Sequence, residues 1–331
     1  MSRKVSIIIP VRNEERTIGD CIDSLLSSTY ENIEIIIVDG MSNDGTIDVV
    51  KKFIEKYGGK IKMVQNPSVF TPAGLNLGII NSTGEYVMIA SGHARYSKNY
   101  VNECVNTIEN GECDVAGGVM EVIPRSNTLK AIAISEVLKH PFGVGGAKYR
   151  TGAQEKTYVD TVAYGIYKRE IFEKIGLFRE ELIRNQDIEF NLRLKRAGYR
   201  TMLIPTARSY YYARDSYKKL WENNFSNGFW VTYSAKFVKR AFRLRHLIPL
   251  FFVLYFFLFV FVCFFQFSYL TILISVTLIL YVVLNIYYSL TISLKNRQLP
   301  LLIPLMLAFS ILHISYGMGS IVGIFKLLLG K

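Results

Sequence analysis

The stretch VSIIIPVRNEERTIGDCIDSLLSSTYENIEIIIVDG, Val5 to Gly40, decides the architecture. It opens and closes on short continuous apolar runs, of the kind shown by a parallel strand covered on both faces. Between them Ile18, Cys21, Ile22, Leu25 and Leu26 recur at helical spacing. The pattern then repeats. TIDVVKKFIEKYG reads as a second helix ended by Gly58-Gly59, and KIKMVQN and YVMIAS read as third and fourth strands around a helix over AGLNLGIINS. Strand alternating with helix implies a parallel sheet with right-handed crossovers. In open sheets of that kind ligands sit at the carboxyl ends of the strands. Those ends carry Pro10-Val11-Arg12-Asn13-Glu14, Asp39-Gly40 and Ser91-Gly92-His93. Neither strand-to-helix turn has a GxGxxG or GxxxxGK[ST] pattern, so neither dinucleotide nor P-loop phosphate binding is indicated.

Composition divides the chain of 331 residues in two. From Ile248 to Leu294 no Asp, Glu, Lys or Arg occurs in 47 residues, and a second uncharged run extends from Gln298 to Phe325. One membrane span takes about 20 residues. The first run therefore reads as two spans with a turn near Gln266-Phe267-Ser268-Tyr269, and the second as a span or a re-entrant segment. Expected helices cover roughly 247–266, 269–294 and 299–326. The net charge of +12 is also uneven, because all 27 acidic residues precede Lys236. The excess is thus membrane-related and carries no nucleic-acid signal. KFVKRAFRLRH, residues 236–246, is a basic juxtamembrane segment that favours the cytoplasmic side and anionic headgroups. The four cysteines show no metal-type or paired spacing and suit a reducing cytosol. The N-terminal apolar run of five is too short for a signal peptide.

The strand ends and the segments between them, VSIIIPVRNEERTIGDCIDSL, IEIIIVDGMSNDGT and GLNLGIINSTGEYVMIASGH, resemble the nucleotide-sugar half of family 2 glycosyltransferases. The resemblance continues through HPFGVGGAKYR, VDTVAYGIYKREIFEKIGLFREELIRNQDIEFNLRLKRAGYR and SYYYARDSYKKLWENNFSNGFW. The whole set is similar to the membrane-attached subgroup related to succinoglycan-type glycosyltransferases. It implies an α/β catalytic domain of GT-A fold (Rossmann-like, with a mostly parallel sheet) over residues 1–235. The basic segment 236–246 and the transmembrane region 247–331 follow. It also implies that Pro10, Val11, Glu14, Asp39 and Asp44 surround the nucleotide, together with Ser91 and Gly92. Asp39, at a strand tip, can accept a hydrogen bond from a uracil-like imide N–H. Asp44 also reads as a turn residue in SNDGT.

In the family an Asp-x-Asp stands where this chain has Ser91-Gly92-His93, and the subgroup has Asp-Gly-His. His93 therefore reads as a metal ligand or as a pocket histidine contacting phosphate or sugar. An imidazole ligand shifts preference toward Mn²⁺ over Mg²⁺, and Ser91 removes one negative charge from the site. In RNQDIEFNLRL, Asp187 falls on the family's catalytic base, which deprotonates the acceptor hydroxyl. Gln186 replaces an acidic neighbour, which is expected to lower the Asp187 pKa. Glu189 is read either as orienting Arg193 or as lying near the acceptor. Trp230 is a stacking wall for the acceptor or a membrane-surface anchor. The Gly-rich, basic stretch from His140 to Lys156 reads as a mobile loop over the site, with His140 and Arg150 able to meet acceptor or phosphate.

The expected activity is inverting transfer of a sugar from a nucleotide-diphosphate donor, by resemblance a UDP-sugar, to a lipid-linked or polysaccharide acceptor. The expected location is the cell membrane, multi-pass, with the catalytic domain cytoplasmic. The alternative is a non-catalytic GT-A-like membrane subunit that binds nucleotide or a partner enzyme. Gly319-x-x-x-Gly323 is a small-residue pattern able to pack helices, which leaves an oligomer open.

Overall fold

In the computed structural model, strand β1 (Val5–Val11) is followed by helix α1 (Ile18–Leu26), β2 (Ile33–Asp39), α2 (Thr46–Tyr57), β3 (Ile61–Gln65), α3 (Thr71–Ile80) and β4 (Tyr86–Ile89). These are the expected alternations, with boundaries within a few residues of the sequence reading. The chain goes on through β5 (Ala94–Tyr96), α4 (Tyr100–Glu109), β6 (Val115–Ile123), α5 (Leu129–Val137), α6 (Pro141–Val144) and α7 (Lys148–Thr151). Then come β7 (Thr157–Tyr158), β8 (Ile166–Lys168), α8 (Arg169–Ile175), α9 (Gln186–Arg196) and β9 (Thr201–Tyr212). The chain ends with α10 (Tyr217–Tyr233), α11 (Ile248–Phe264), α12 (Ser268–Lys295) and α13 (Leu302–Leu328). Residues 2–238, 244–265 and 268–330 are described. Residues 239–243 of the basic segment, Gln266-Phe267 of the expected turn, and Lys331 lie outside the described residues.

The chain groups into two compact units that interleave in sequence: Met1–Glu121 with Lys148–Tyr212, and Val122–Ala147 with Ala213–Lys331. Residues 122–147 and 213–235, which the sequence reading places with the catalytic domain, group with the apolar helices. The reason is packing within that second unit, where α5 and α10 both lie against α13.

In the first unit the strand order is β3-β2-β1-β4-β8-β6-β9-β5, with β7 beside β9. The pairings from β3 to β4 are parallel, and those of β8 with β4 and β6, and of β9 with β5 and β7, are antiparallel. Successive side chains of a strand point to opposite faces, so a strand covered twice must be apolar at every position. That accounts for VSIIIPV. Ile7 and Ile9 join a core with Ile18, Cys21 and Ile22 of α1 and Val105 of α4. Ile8 joins another with Leu75 and Ile79 of α3, Phe172 of α8 and Phe190 of α9. Each fully buried isoleucine contributes roughly 1.5–3 kcal/mol.

One polar residue in the β2 run is also accounted for. Glu34 is 8% exposed, and its Oε1 accepts from the Ser6 hydroxyl at 2.6 Å and the Thr83 amide at 2.7 Å. Lys4 lies 3.2 Å from Oε2. Burial pushes the carboxyl up, but the bonds from Ser6, Thr83 and Lys4 outweigh it and hold the pKa at about 2. A depressed carboxyl stabilises the fold above its unfolded pKa and loses that contribution as pH falls through the folded value. Glu34→Gln is therefore expected to cost about 3 kcal/mol at neutral pH. The gap from wild type should narrow as pH falls from 4.5 toward 2, as scanning calorimetry of the detergent-solubilised protein would show.

In the second unit, α12 and α13 contribute apolar stretches, Thr271–Lys295 and Leu299–Leu328, long enough by length and composition to cross a membrane. The third apolar helix, Ile248–Phe264, is shorter. Helices α10 and α13 meet through glycine. A Cβ on Gly228 would lie 1.9 Å from the Tyr316 carbonyl oxygen, and one on Gly319 would lie 1.9 Å from that of Phe225. Thr232 Oγ1 donates to the Ser320 carbonyl at 2.9 Å, and Ser320 Oγ donates to the Gly228 carbonyl at 3.2 Å. The Gly319-x-x-x-Gly323 pattern is thus taken up inside the chain, and it gives no support to an oligomer.

Candidate active site

The parallel register sets Val11 of β1 beside Asp39 of β2, so both reach the same rim of the sheet. Asp39 is 1% exposed. Its Oδ2 accepts from the Ser42 amide at 3.1 Å, while Oδ1 is buried with no hydrogen-bond partner. A buried acceptor left without a donor costs about 1–3 kcal/mol, more when charged. Such an oxygen is suited to take a donor from a ligand. Around it the backbone is strained. Asn13, Met41 and Val69 have φ of 57°, 59° and 68°, a region that side chains rarely adopt and that clusters at functional sites.

Thr46 ties the next two acids together. Its hydroxyl donates to Asp44 Oδ1 at 2.5 Å and accepts from the Glu14 amide at 2.8 Å. Asp44 Oδ2 accepts from the Glu15 amide at 3.3 Å. Desolvation raises the Asp44 carboxyl, but the Thr46 and Glu15 bonds outweigh it and lower its pKa. Both oxygens serve the turn that starts α2, which is the structural role read from SNDGT.

The strand-end glycine lets two loops close up. A Cβ on Gly92 would lie 2.8 Å from Val11 Cγ1 and 3.6 Å from Glu14 Cγ. That approach brings His93 Nδ1 to 2.9 Å from Glu14 Oε1. A carboxylate only accepts, so Nδ1 carries the hydrogen and Nε2 is the acceptor of the neutral ring. The Ser91 hydroxyl lies 3.3 Å from each ring nitrogen, and the Ser91 amide donates to the Tyr96 hydroxyl at 2.9 Å. A carboxylate behind an imidazole is the arrangement that orients metal-bound histidines. Among the described residues no group of three or more His, Cys, Asp or Glu could hold a metal. These donors do not make an all-protein cage, and a cation here would need most of its ligands from a bound molecule.

Tyr211 extends this cluster. Its ring meets His93 edge-on with centroids 5.4 Å apart, and the Arg150 guanidinium lies 5.9 Å from its centroid. Arg150 also stacks on Tyr149 at 5.6 Å, and no carboxylate lies within ion-pair distance of it among the described residues. The sequence reading did not single out Tyr211. SYYYARD offers three tyrosines in a row, and only the pairing of Ala94 with Tyr211 sets this one beside His93.

Asp187 is an exposed residue in the first turn of α9, entered through Asn185 with φ of 61°. Enough protein surrounds its carboxyl that desolvation raises the pKa, against the pull of the Ile188 amide, its own amide and the Arg150 charge. The expected lowering through Gln186 is thus corrected, because crowding outweighs the loss of one like charge. Glu189 is 2% exposed, and its oxygens take Arg193 Nε at 2.8 Å and Nη2 at 2.9 Å. Arg193 in turn caps the Leu177 carbonyl at 2.8 Å. Of the two roles open to Glu189, this geometry serves the orientation of Arg193.

The contacts therefore gather Glu14, Ser91, Gly92, His93, Tyr211 and Arg150, with Arg150 acting electrostatically on Asp187. Pro10 and Val11 lie at the end of β1, in register with Val38 and Asp39. Trp230 belongs to the second unit, where its ring packs edge-on against Phe229 and Tyr233 at 5.7 and 5.6 Å. His140 is also in that unit, capping α6 and meeting Tyr288 and Phe309.

The chain is similar to known proteins in sequence and in fold. The sequence profile of Glycosyl transferase family 2 matches residues 6–176. A dolichyl N-acetyl-alpha-D-glucosaminyl phosphate 3-beta-D-2,3-diacetamido-2,3-dideoxy-beta-D-glucuronosyltransferase of Methanococcus voltae is 32% identical over 231 residues, 68% of this chain and 71% of the relative. The succinoglycan biosynthesis protein ExoA of Rhizobium meliloti (strain 1021) is 28% identical over 225 residues, 67% of each. Among solved structures, GalNAc-T7 with UDP, GalNAc and Mn²⁺ matches at a TM-score of 0.51 and 15% identity, over 64% of this chain and 44% of that one. That likeness concerns the fold.

Proposed function

Because the chain belongs to glycosyl transferase family 2, we infer that this glycosyltransferase moves a sugar with inversion from a UDP-sugar to a lipid-linked or polysaccharide acceptor. The transfer takes place on the cytoplasmic face of the membrane. The observation that carries the donor assignment is the buried, unpartnered Asp39 Oδ1, which matches the imide N–H of a uracil. A lipid-linked acceptor is supported by the name of the relative from Methanococcus voltae and by the apolar helices of this chain.

In this reading Pro10, Val11 and Glu14 line the nucleotide, with Asp44 shaping the turn beneath it. Asp187 takes the proton from the acceptor hydroxyl as that oxygen attacks the anomeric carbon. The bond to the diphosphate breaks on the opposite face, and UDP leaves. Arg150, held between Tyr149 and Tyr211 and free of carboxylate partners among the described residues, faces the negative charge that develops on the leaving group. His93, backed by Glu14, would hold a divalent cation, Mn²⁺ in preference to Mg²⁺, and that cation would supply charge neutralisation at the diphosphate.

Calorimetric titration of UDP into the detergent-solubilised protein tests the assignment. Asp39→Ala is expected to weaken UDP binding by about 10-fold or more, the worth of a hydrogen bond to a charged group, with or without metal. His93→Ala is expected to remove the difference between Mn²⁺ and chelator while leaving the metal-free affinity in place. UDP binding indifferent to Asp39 would refute the uracil contact, and indifference to His93 in every metal condition would refute the cation site.

A further inference from the structure

By length and composition α13, like α12, is long and apolar enough to span, yet its contacts within the second unit fit a different placement. Passing along it, the neighbours change from one helix of the α11–α12 pair to the other. Asn285 of α12 donates to the Met306 carbonyl at 3.2 Å and to Ser310 Oγ at 3.1 Å. At His313 both helices are present, with Tyr281 of α12 donating or accepting at 3.0 Å and Phe252 of α11 6.5 Å away ring to ring. At Gly317 the neighbours are Pro249 and Val253 of α11. Helices α11 and α12 are antiparallel, since Phe252 meets Tyr281 and Tyr255 donates to Thr277. All these contacts therefore fall at one end of the hairpin, the start of α11 and the second half of α12. The other end exposes Phe256, Phe261, Phe264, Ile272 and Val276, each at least 49%. A helix crossing the bilayer beside the hairpin would run along it, whereas α13 passes across its end.

The partner of α13 along its length is α10, and α10 is polar. Tyr217, at its start, donates to the Pro304 carbonyl at 3.0 Å, and Lys326 lies 5.2 Å from the ring of Tyr233 at its end. Between these points the glycine contacts hold the two backbones together. Helix α10 carries Lys218, Lys219 and Glu222 in its first turns, where Lys218 pairs with Glu222 and Lys219 with Asp215, and charges of this kind are costly in hydrocarbon. A second lysine, Lys236, lies 5.6 Å from the Tyr233 ring, so two ammonium groups flank one tyrosine where α10 and α13 end. The outer face of α13 exposes Ile303, Leu307, Ile314 and Phe325, whose spacings of 4, 7 and 11 residues are close to whole helical turns and keep them on one stripe. A helix covered along one side by the charged α10 and bearing an apolar stripe on the other fits the headgroup–acyl boundary.

We propose that α13 lies in the membrane interface beside α10, its apolar stripe toward the acyl chains and Lys236 and Lys326 toward anionic headgroups, and that only the α11–α12 hairpin crosses. The end of the chain is then on the side of α10, not across the bilayer. This goes beyond the transfer reaction and rests on the chain being membrane-bound.

Single cysteines in sealed vesicles decide it. The native Cys21, Cys104 and Cys113 are buried, and exposed Cys263 is changed to Ser. Glu222→Cys on α10, Tyr269→Cys at the hairpin tip and Gly330→Cys at the chain end are each labelled with a membrane-impermeant maleimide from either face. All three positions are exposed, so the fold is not at stake. The expected result is that Gly330→Cys labels from the same face as Glu222→Cys, and Tyr269→Cys from the opposite face. Labelling of Gly330→Cys from the face opposite Glu222→Cys would mean that α13 crosses, and it overturns the proposal. Labelling of Tyr269→Cys from the Glu222 face would overturn the crossing hairpin as well, while leaving the glycosyltransferase reading untouched.

Discussion

Asp187→Asn is expected to lower sugar transfer by about 10²–10⁴-fold, the usual range for loss of a general base, and to leave UDP affinity as in wild type. The substitution keeps the size of the side chain and its place in the first turn of α9, and removes only the capacity to take a proton. Asp187 is exposed and makes no ion pair among the described residues, so no structural network depends on its charge. Glu189→Gln is the contrasting variant. It breaks the buried pair with Arg193, and with it the cap on the loop before α9. Its loss is expected in stability, because removing one partner of a buried pair costs about 3–5 kcal/mol. The pH profile adds a second reading. Desolvation raises the Asp187 pKa, so the base form is lost at a higher pH than an ordinary aspartate would require. The acid limb of kcat is expected at a higher pH than an ordinary aspartate would give, and that limb should be absent from the residual rate of Asp187→Asn. Both are measured as UDP released from a panel of UDP-sugars. Full activity in Asp187→Asn would refute its role as base.

Gly319→Ala is expected to destabilise the second unit by about 3 kcal/mol or more, at the upper end of overpacking effects. The added Cβ would sit 1.9 Å from the Phe225 carbonyl oxygen and 2.9 Å from the Phe229 amide nitrogen. These are backbone atoms of α10, which cannot rotate away as a side-chain tip would. Accommodating the methyl means separating the helices, and that stretches the bonds from Thr232 to Ser320 and from Ser320 to Gly228. Gly146→Ala serves as the control, because nothing lies within 4 Å of its Cβ position. The measurement is the thermal midpoint in detergent, followed by Trp221 and Trp230 fluorescence, since both tryptophans belong to α10. A midpoint unchanged from that of Gly146→Ala would show that the two helices do not pack as closely as the structure has them.

The site was partly legible before folding. Asp39 could be picked out because an apolar strand that ends on an acid and a glycine has few other uses for the acid. The structure adds that one oxygen has no partner, which depends on surrounding chains. The pair of Glu14 and His93 was named as two separate candidates, 79 residues apart, and nothing local says they touch. Tyr211 was not legible at all. Glu189 lay between two readings until Arg193, one helical turn on, was seen to take both its oxygens. The small-residue pattern at Gly319 announced a close helix contact correctly, but its partner, Phe225, came from 94 residues upstream in the same chain.

What the sequence determined by itself is what local periodicity encodes. The apolar runs of β1 and β2 require cover on both faces, so alternation of strand and helix leads to a parallel sheet with its site at the strand ends. The uncharged 47 residues from Ile248 lead to helices apolar enough for a membrane, and the ordered motifs lead to the family. Only the tertiary structure decided which side chains meet. Register sets Val11 beside Asp39 and Ala94 beside Tyr211, and helix crossings set Gly319 on Phe225 and Lys326 on Tyr233. These contacts join residues far apart in the chain, whose meeting depends on how every intervening element packs. Hydropathy reports how apolar a helix such as α13 is, whereas its neighbours report whether hydrocarbon or another helix surrounds it.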